Sequence, residues 1–319
     1  MLLLYEVIMK QSILYQGLFT YILLTLYAVP WAIASDEGGA NDRAPFADVH
    51  LHFNWDQEEL VSAAEVLTIL DKHNVVFAVV FSTPSENALK LSRLAPKRII
   101  PFFSPYITGH SRNNWYYDVK VLEQARKGLE QGIYKGIGEV HIISGLGPRR
   151  DNVILQGLLK LAAEFDVPFN IHTETSDYRF LVPICRQHPK VRFLWAHAGG
   201  VLGPQHSEGI IKACANVWIE LSARDPAHYG GLLDDDLHLR KDWRDVIVRF
   251  PDKFMLGTDP VWNAHQVNRW YEADEGWKHY HEFIQFHRNW VKALPKDVEI
   301  LVRKDNALRF FNISSEGDL

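Results

Sequence analysis

Short apolar runs alternate with longer segments of mixed polarity along most of this 319-residue chain. Apolar runs of four to eight residues between turn signals are typical of strands that are buried on both faces. Between these runs, apolar residues recur at helical spacing in segments such as Glu58–Leu70, Val119–Gln131 and Val153–Phe165. The predicted strands are Phe46–Phe53, Val75–Ser82, Arg98–Ser104, Gly136–Ile142, Pro168–Thr173, Val191–Ala198, Val217–Ser222 and Lys253–Thr258.

Strands that alternate with helices predict an α/β protein with a parallel sheet. Eight such units in about 265 residues favour a closed (β/α)8 TIM barrel, because a barrel leaves no edge strand unpaired. Residues 46–319 are expected to form this barrel domain, with Gln266–Phe311 as a C-terminal helical extension. Asp56 and Asp151-Asn152 precede two of the helical segments and are expected to cap them.

The first segment of the chain has a different pattern. No charged residue lies between Ile13 and Ala34, and Lys10 precedes this apolar stretch. Ala32-Ile33-Ala34 has the small-x-small form of a signal-peptidase site. We predict a secretory signal peptide over residues 1–34 and a linker over residues 35–45, which implies a secreted or periplasmic protein without stable membrane insertion after cleavage. An uncleaved anchor is the alternative, since the run approaches the ~20 residues that span a bilayer.

Composition narrows the classes of partner. The net charge is −5 and no long basic run is present, so neither a nucleic-acid groove nor binding to anionic lipid is expected. Export implies an oxidising compartment, yet Cys185 and Cys214 are the only cysteines. Adjacent predicted helices contain them, so a disulfide is conceivable, but two separately buried thiols are the expectation. The oligomeric state stays open, a homo-oligomer included.

Six ionisable residues fall at the predicted carboxyl ends of strands, where barrels of this kind have their active sites. Side chains two positions apart on a strand point to the same side, so His50 and His52 converge. Four imidazoles and two carboxylates suit one or two divalent metals such as zinc, although each residue alone could equally be a hydrogen-bonded core group. The six are His50, His52, Glu139, His172, His197 and Asp259.

The ordered set resembles the amidohydrolase superfamily, in its amidohydrolase-related branch of metal-dependent barrel hydrolases. The resemblance covers Phe46–Ile313 and rests on four motifs. They are His-Leu-His at 50–52, His-Ala-Gly-Gly at 197–200, Gly-Thr-Asp-Pro at 257–260 and Asn-Ala-Leu-Arg-Phe-Phe-Asn at 306–312.

This resemblance implies that His50, His52 and Asp259 bind the more buried metal, and that His172 and His197 bind the second. Glu139 stands where many relatives have a carboxylated lysine that bridges two metals; TatD-type nucleases are similar in having glutamate there. The number of metals is therefore open. In a mononuclear site formed by His50, His52, His172 and Asp259, His197 would act in hydrogen bonding or proton transfer.

The expected function is hydrolysis of a small-molecule ester, lactone, amide or phosphoester by metal-activated water, with Asp259 moving the proton. The resemblance also implies an alternative, a decarboxylase or lyase of small carboxylic acids. A non-catalytic barrel that binds metal or ligand is a third hypothesis. A nuclease is less favoured, because the chain has no basic groove.

Substrate contacts are expected in the loops that follow the strands. After strand four, His141, Arg149 and Arg150 are the candidates, and either arginine could bind a substrate carboxylate. A solvated arginine pair is the more common arrangement, and a packing role for His141 is equally open. Glu174 and Glu220 could orient histidines, and surface or barrel-wall positions are equally open for them. Further loop candidates are His110, Arg112, Trp115, Tyr116, Arg224, Asp225, His228, Trp262, Asn263 and His265.

Overall fold

The computed structural model describes residues 43–109, 111–144, 147–173, 176–261 and 272–313. The predicted signal peptide and most of the predicted linker lie outside the described residues, so both remain predictions. Five of the candidate side chains also lie outside them, namely His110, Glu174, Trp262, Asn263 and His265.

All eight predicted strands are present, each within its predicted bounds. They pair in parallel and in sequence order as two sheets, one of three strands and one of five. The strands are β1 (Phe46–His52), β2 (Val75–Phe81), β3 (Ile99–Pro101), β4 (Ile137–His141), β5 (Phe169–His172), β6 (Phe193–Trp195), β7 (Val217–Glu220) and β8 (Phe254–Met255).

Backbone hydrogen bonds link the two sheets on both sides. Next to β3, Phe103 N donates to Gly136 O and Gly138 N donates to Phe103 O, each at 2.9 Å. On the other side, Val49 N donates to Leu256 O at 2.9 Å and Asp259 N donates to His50 O at 2.8 Å. The carboxyl end of β1 therefore lies beside the segment that follows β8.

The described residues form ten α-helices, and short 3-10 turns and one π-helical stretch, Leu301–Asp305, lie among them. The helices are α1 (Ala63–Lys72), α2 (Glu86–Leu94), α3 (Lys120–Glu130), α4 (Val153–Glu164), α5 (Val182–Gln187), α6 (Pro204–Ala213), α7 (Lys241–Arg249), α8 (Tyr280–Trp290), α9 (Lys296–Ile300) and α10 (Asn306–Phe310). Within these residues, no helix has both the length and the apolar character that a membrane crossing requires.

One of the two expected helix caps is correct. The Asn152 side chain accepts hydrogen bonds from the backbone N–H groups of Ile154 and Leu155 and so caps α4. Asp56 instead precedes a 3-10 turn and makes no capping hydrogen bond with its side chain. The first α-helix begins later than expected because Ser62 and Glu65 form a capping box, in which each side chain bonds the other residue's backbone N–H.

The C-terminal helices fill the end of the fold that lies opposite the strand carboxyl ends. The Phe311 ring packs 5.1 Å from Phe77 and 6.0 Å from Phe102, measured between ring centroids. Asn306 Nδ2 donates to Phe254 O at 2.9 Å and to Pro251 O at 2.7 Å. The helical extension is thus present over residues 276–310, and its last helix packs at the amino ends of the strands.

The expectation of two free buried thiols is wrong, because Cys185 and Cys214 form a disulfide. Cys185 lies in α5 and Cys214 directly follows α6, with 6.2 Å between their Cα atoms. Asn216 Nδ2 donates to Cys185 O at 3.2 Å, so the segment after α6 lies against the end of α5. A sequence separation of 29 residues does not reveal that proximity.

Replacing both cysteines by alanine is expected to lower the free energy of unfolding by about 3–4 kcal/mol, the chain-entropy value for a loop of this length. Urea denaturation of the oxidised protein and the double variant measures the difference. Reductant should lower the stability of the wild type and leave the variant unchanged. Equal midpoints for the oxidised wild type and the variant would contradict the prediction.

His287 in α8 makes the fold sensitive to acid. Its side chain is buried, and Nδ1 accepts the indole N–H of Trp290 at 3.1 Å. Burial lowers the pKa of His287 to about 4, although the carboxylates of Asp225 and Glu220 oppose this. The unfolded chain, with an ordinary pKa near 6.5, binds the proton first. His287 therefore contributes stability above pH 6.5 that is lost as the pH falls toward 4.

The free energy of unfolding is expected to fall by up to about 3 kcal/mol from this residue between pH 7 and pH 4. His287→Gln should show a shallower pH dependence over that window in chemical denaturation. His238→Gln, at a side chain that is 80% exposed, is the matched control and should retain the wild-type slope. Parallel slopes for wild type and His287→Gln would refute the assignment.

Candidate metal centre

His50 and His52 point to the same side of β1, as their spacing predicts. Their Nε2 atoms are 3.2 Å apart. Asp259 Oδ1 lies 3.2 Å from His52 Nε2 and 3.8 Å from His50 Nε2. These three residues thus place one nitrogen or oxygen atom each within the reach of a single ion.

A second group lies at the ends of β4, β5 and β6. The Glu139 carboxylate contacts His172 Nδ1 through Oε1, and the same oxygen is 3.2 Å from His197 Nε2. His172 Nδ1 and His197 Nε2 are 3.2 Å apart. Glu139, His172 and His197 therefore converge on one point.

Glu139 lies between the two groups. While Oε1 faces His172 and His197, Oε2 is 3.8 Å from His50 Nε2 and 3.6 Å from His52 Nε2. The structure therefore brings all six predicted ligand residues together, with one carboxylate in a position to contact both groups.

Two of the six residues adopt left-handed backbone conformations beyond the ends of their short strands. His197 has φ 56° and Asp259 has φ 51°, values that residues other than glycine seldom adopt, although asparagine, aspartate and histidine do so more often than the rest. In the His-Ala-Gly-Gly motif the glycines at 199 and 200 also have positive φ, 79° and 73°, where the absence of Cβ removes the steric cost. The motif thus forms a turn that points the His197 ring into the cluster.

Glu220, at the end of β7, orients two of the histidines. Its Oε1 accepts from His50 Nδ1 at 3.0 Å and from His197 N at 2.8 Å. His197 Nδ1 lies 2.7 Å from Ser222 Oγ. With their Nδ1 atoms occupied in this way, His50 and His197 both present Nε2 to the cluster, which is the usual arrangement of metal-binding histidines.

Glu220→Gln is expected to weaken metal binding by about 10- to 100-fold, because the neutral amide orients His50 less firmly and makes its ring less basic. Competition with a metal-binding dye measures this affinity. Glu164→Gln alters a carboxylate that pairs with Arg126 on the surface, and it should bind metal like wild type. Equal affinity for both variants would contradict the role of Glu220.

The electrostatics of the cluster favour a bound cation. Burial lowers the pKa of His50, but the carboxylates of Glu220, Asp259 and Glu139 overcome it and raise that pKa to about 10. Burial likewise raises the pKa of Glu220, while His50 and His197 hold it at about 2. Asp259 Oδ1 is buried and receives no hydrogen bond within the described residues. The negative charge and the vacant acceptor atom both fit a divalent metal.

His141 enters the site, where its ring nitrogens contact Arg112 and Tyr106. Its Nε2 is 3.7 Å from Glu139 Oε2, and its ring stacks on that of His172 with 4.2 Å between centroids. Arg112 Nη2, a donor, lies 3.0 Å from the same Nε2 and occupies its lone pair. His141 thus lies within ligand distance of Glu139 and His172, but its contact with Arg112 leaves the six predicted residues as the ligand set that we favour in the described part of the chain.

The structure does not bring Arg149 or Arg150 to the cluster. Arg149 is 86% exposed and forms a bidentate ion pair with Asp151, with both N–O distances 2.9 Å. Arg150 lies over the Phe180 ring at 5.2 Å. The two arginines lie in an exposed loop away from the histidines, and Asp151 pairs with Arg149 there. This is the solvated arginine pair that is the more common arrangement.

Other loop candidates have packing or supporting roles. Trp115 is buried in the core, and Arg224 is buried over the Trp243 ring at 5.0 Å. Asp225 pairs with His228 at 2.8 Å, and His228 Nε2 lies 2.8 Å from Val261 O, so the loop after β7 is tied to the segment after Asp259.

Sequence reasoning missed several residues beside the cluster, including Tyr229 and Asp48. Tyr229 Oη lies 3.4 Å from His172 Nε2. Asp48 is fully buried and accepts from His50 N at 3.2 Å and from Thr258 N at 3.0 Å, which ties β1 to the turn before Asp259. A charged residue in an apolar strand, two positions before His50, was the available signal for Asp48. Tyr229 had no comparable signal.

Comparisons with known proteins agree with this architecture. Similar solved structures include YjjV, a TatD homolog from Escherichia coli K12, at 18% identity and TM-score 0.59, covering 86% of this chain and 100% of that one. A probable 2-pyrone-4,6-dicarboxylic acid hydrolase from Acinetobacter baumannii with bound citric acid has 15% identity and TM-score 0.53, with 85% and 100% covered. 2,6-Dihydroxybenzoate decarboxylase from Rhizobium has 12% identity and TM-score 0.52, with 84% and 99% covered.

At these identities the likeness concerns the fold. No curated protein sequence matches this chain significantly.

Fold and site together define an α/β protein of parallel strands that gathers histidine and carboxylate side chains at its strand ends. A family model described as amidohydrolase matches residues 116–313, more than half of the chain. The chain belongs to this family and is an enzyme of the amidohydrolase superfamily.

Proposed function

We propose that this enzyme is a metal-dependent hydrolase that cleaves an ester, lactone, amide or phosphoester bond in a small molecule. The observation that supports this best is the convergence of six imidazole and carboxylate side chains on adjoining points, with Asp259 Oδ1 buried among them and without a hydrogen-bond donor in the described residues. A bound divalent metal, for which zinc is our first choice, would polarise the scissile bond and make a water molecule acidic near neutral pH.

Each part of the cluster has its own task in this proposal. His50, His52 and Asp259 would hold one ion, and His172 and His197 a second, with Glu139 contacting both. Glu220, which contacts His50 Nδ1, and Ser222, which contacts His197 Nδ1, keep the two Nε2 atoms turned toward the cluster. The Asp259 carboxylate would take the proton of the attacking water and return it to the leaving group. No serine or cysteine nucleophile is needed.

The same site supports a second candidate function, the release of carbon dioxide from a small carboxylic acid. Its support is that a decarboxylase is among the proteins with a similar fold. The two reactions differ in their products. A hydrolase incorporates solvent oxygen into its product, whereas a decarboxylase releases carbon dioxide and incorporates none.

Metal analysis of the purified mature protein, together with a screen of lactones, esters, amides, phosphoesters and aromatic acids, tests the proposal. We expect about two zinc equivalents for the bridged site, and turnover that a chelator removes and zinc restores. Oxygen-18 water and carbon dioxide detection separate the two reactions. A protein without metal above trace level and without metal-dependent turnover would refute both candidates.

We further propose that the two sheets form one closed eight-stranded barrel and that the enzyme works outside the cytoplasm. The backbone hydrogen bonds on both sides of the sheets support the first proposal. The disulfide supports the second, because such bonds persist mainly in oxidising compartments. Amino-terminal sequencing of the exported protein is expected to begin at Ser35; recovery of the uncleaved chain would favour the membrane anchor.

A further inference from the structure

A second group of polar side chains adjoins the metal cluster beside β3 and β4. Its members are Arg112, His141 and Tyr106, and it meets the cluster where the His141 ring stacks on His172. None of the three is a ligand in the proposed metal centre. The proposed chemistry leaves them without a task.

The direction of each hydrogen bond in this group follows from the donors available. A guanidinium group only donates, so Arg112 Nη2, at 3.0 Å, makes His141 Nε2 the acceptor. An imidazole that accepts at Nε2 is neutral and has its hydrogen on Nδ1. Nδ1 lies 2.5 Å from Tyr106 Oη, so His141 donates to the phenol oxygen.

Tyr106 Oη accepts a second hydrogen bond, from the backbone N–H of His141 at 2.9 Å. Two donors fill the lone pairs of the phenol oxygen, and its own hydrogen must point to a third partner. In the part of the chain that the structure describes, no protein group accepts that hydrogen. Since the residue is only 6% exposed, Tyr106 is a nearly buried donor that awaits an acceptor.

Arg112 is also available to a ligand. The exposed Arg126 and Arg149 pair with acidic side chains, whereas Arg112 forms no ion pair within the described residues. One of its five N–H donors is directed at His141, and the others meet no carboxylate of the residues that the structure describes. The group therefore offers a positive charge and a hydroxyl donor beside the metal cluster.

We propose that Arg112 and Tyr106 form an oxyanion subsite that binds a carboxylate group of the substrate, and that His141 positions both. This inference rests on the proposed function, because it assigns to the same site a substrate class, small molecules with a free carboxylate. Both ligand-facing groups are donors, and the charge on Arg112 makes an anion the preferred acceptor.

Calorimetric titration of the metal-loaded protein with benzoate and with its neutral counterpart benzamide tests this subsite. The wild type is expected to bind benzoate more tightly than benzamide. Tyr106→Phe and Arg112→Met should each weaken benzoate binding by about 10- to 100-fold, the value of a hydrogen bond to a charged group, and should leave benzamide binding unchanged. Equal binding of the two probes by the wild type would overturn the inference.

Matched controls come from the neighbouring loops. Tyr117→Phe and Arg149→Met change exposed side chains of the same two types, and both should bind benzoate like wild type. Circular dichroism and metal content verify that each variant is folded and loaded. Arg112 is exposed, so Arg112→Met decides the question should Tyr106→Phe fail to fold; wild-type benzoate affinity in Arg112→Met would refute the subsite.

The positioning role of His141 has a spectroscopic test. Nitrogen-15 shifts of the imidazole, assigned by comparison with His141→Asn, are expected to show Nδ1 protonated and Nε2 unprotonated. A proton on Nε2 would overturn the deduced hydrogen-bond directions and, with them, the free hydroxyl hydrogen of Tyr106.

Failure of this inference is distinguishable from failure of the proposed function. A wild type that holds metal and turns over substrate, with benzoate binding unaffected in both variants, refutes the subsite alone. A wild type that lacks metal-dependent turnover, with benzoate binding lost in both variants, refutes the proposed function and supports the subsite.

Discussion

Asp259→Asn is expected to lower turnover by about 10³- to 10⁴-fold, the upper part of the range for general acid–base catalysis. Asparagine keeps the shape of the side chain, and its amide cannot accept and return a proton. The change also removes a negative charge that lies 3.2 Å from His52 and 3.8 Å from His50. Steady-state kinetics with the best substrate of the screen measures the loss, while thermal denaturation verifies that the variant is folded.

Asp151→Asn is the matched control for this change. Asp151 pairs with Arg149 at the surface and should retain wild-type activity. Metal content separates the two roles of Asp259: a variant that still holds metal and has lost turnover indicates a role in proton transfer. A folded Asp259→Asn protein with full activity would refute that role and exclude Asp259 as the essential base.

Glu139→Gln is expected to have the second largest effect, reducing both metal content and turnover. Its carboxylate contacts His172 and His197 through one oxygen and lies within 3.8 Å of His50 and His52 through the other. Altering a residue that only orients a ligand costs about 10- to 100-fold, so a change at the bridging position should exceed 100-fold in turnover. Metal analysis of the dialysed variant gives the stoichiometry.

A bridged centre predicts that Glu139→Gln loses at least one of two metal equivalents. A mononuclear centre built on His50, His52, His172 and Asp259 predicts instead that the single equivalent is retained. Glu130→Gln, at a surface position close to Arg126, should behave like wild type in both measurements. Undiminished metal content together with full turnover would show that Glu139 belongs to neither centre.

Much of the fold could be predicted from the sequence. Strands buried on both faces need nearly continuous apolar runs, and β2 is a clear case, with six of its seven residues buried. The first helix shows the limit. Ser62 and Glu65 have the spacing of a capping box, yet Asp56 precedes the same apolar pattern, and only the backbone shows which of them caps the α-helix.

The residues that form the site could be predicted from the sequence, but their geometry could not. Strand order places the six ligand residues at one edge, because parallel strands end on the same side. The left-handed turns at His197 and Asp259 and the bond between Cys185 and Cys214 depend on tertiary packing, which periodicity does not encode. Arg149 was a predicted substrate contact that lies away from the site, because Asp151, two residues further along the chain, pairs with its charge.

The helices that end the described chain have a kinetic consequence. Phe311 and Asn306 fill the amino ends of the strands, so within the described residues the cluster is approached from the loops at the opposite edge. Substrate and product must then use the same entrance to the site. A product that dissociates slowly keeps the next substrate molecule out of this single entrance. Competitive inhibition by product is therefore the expected kinetic result.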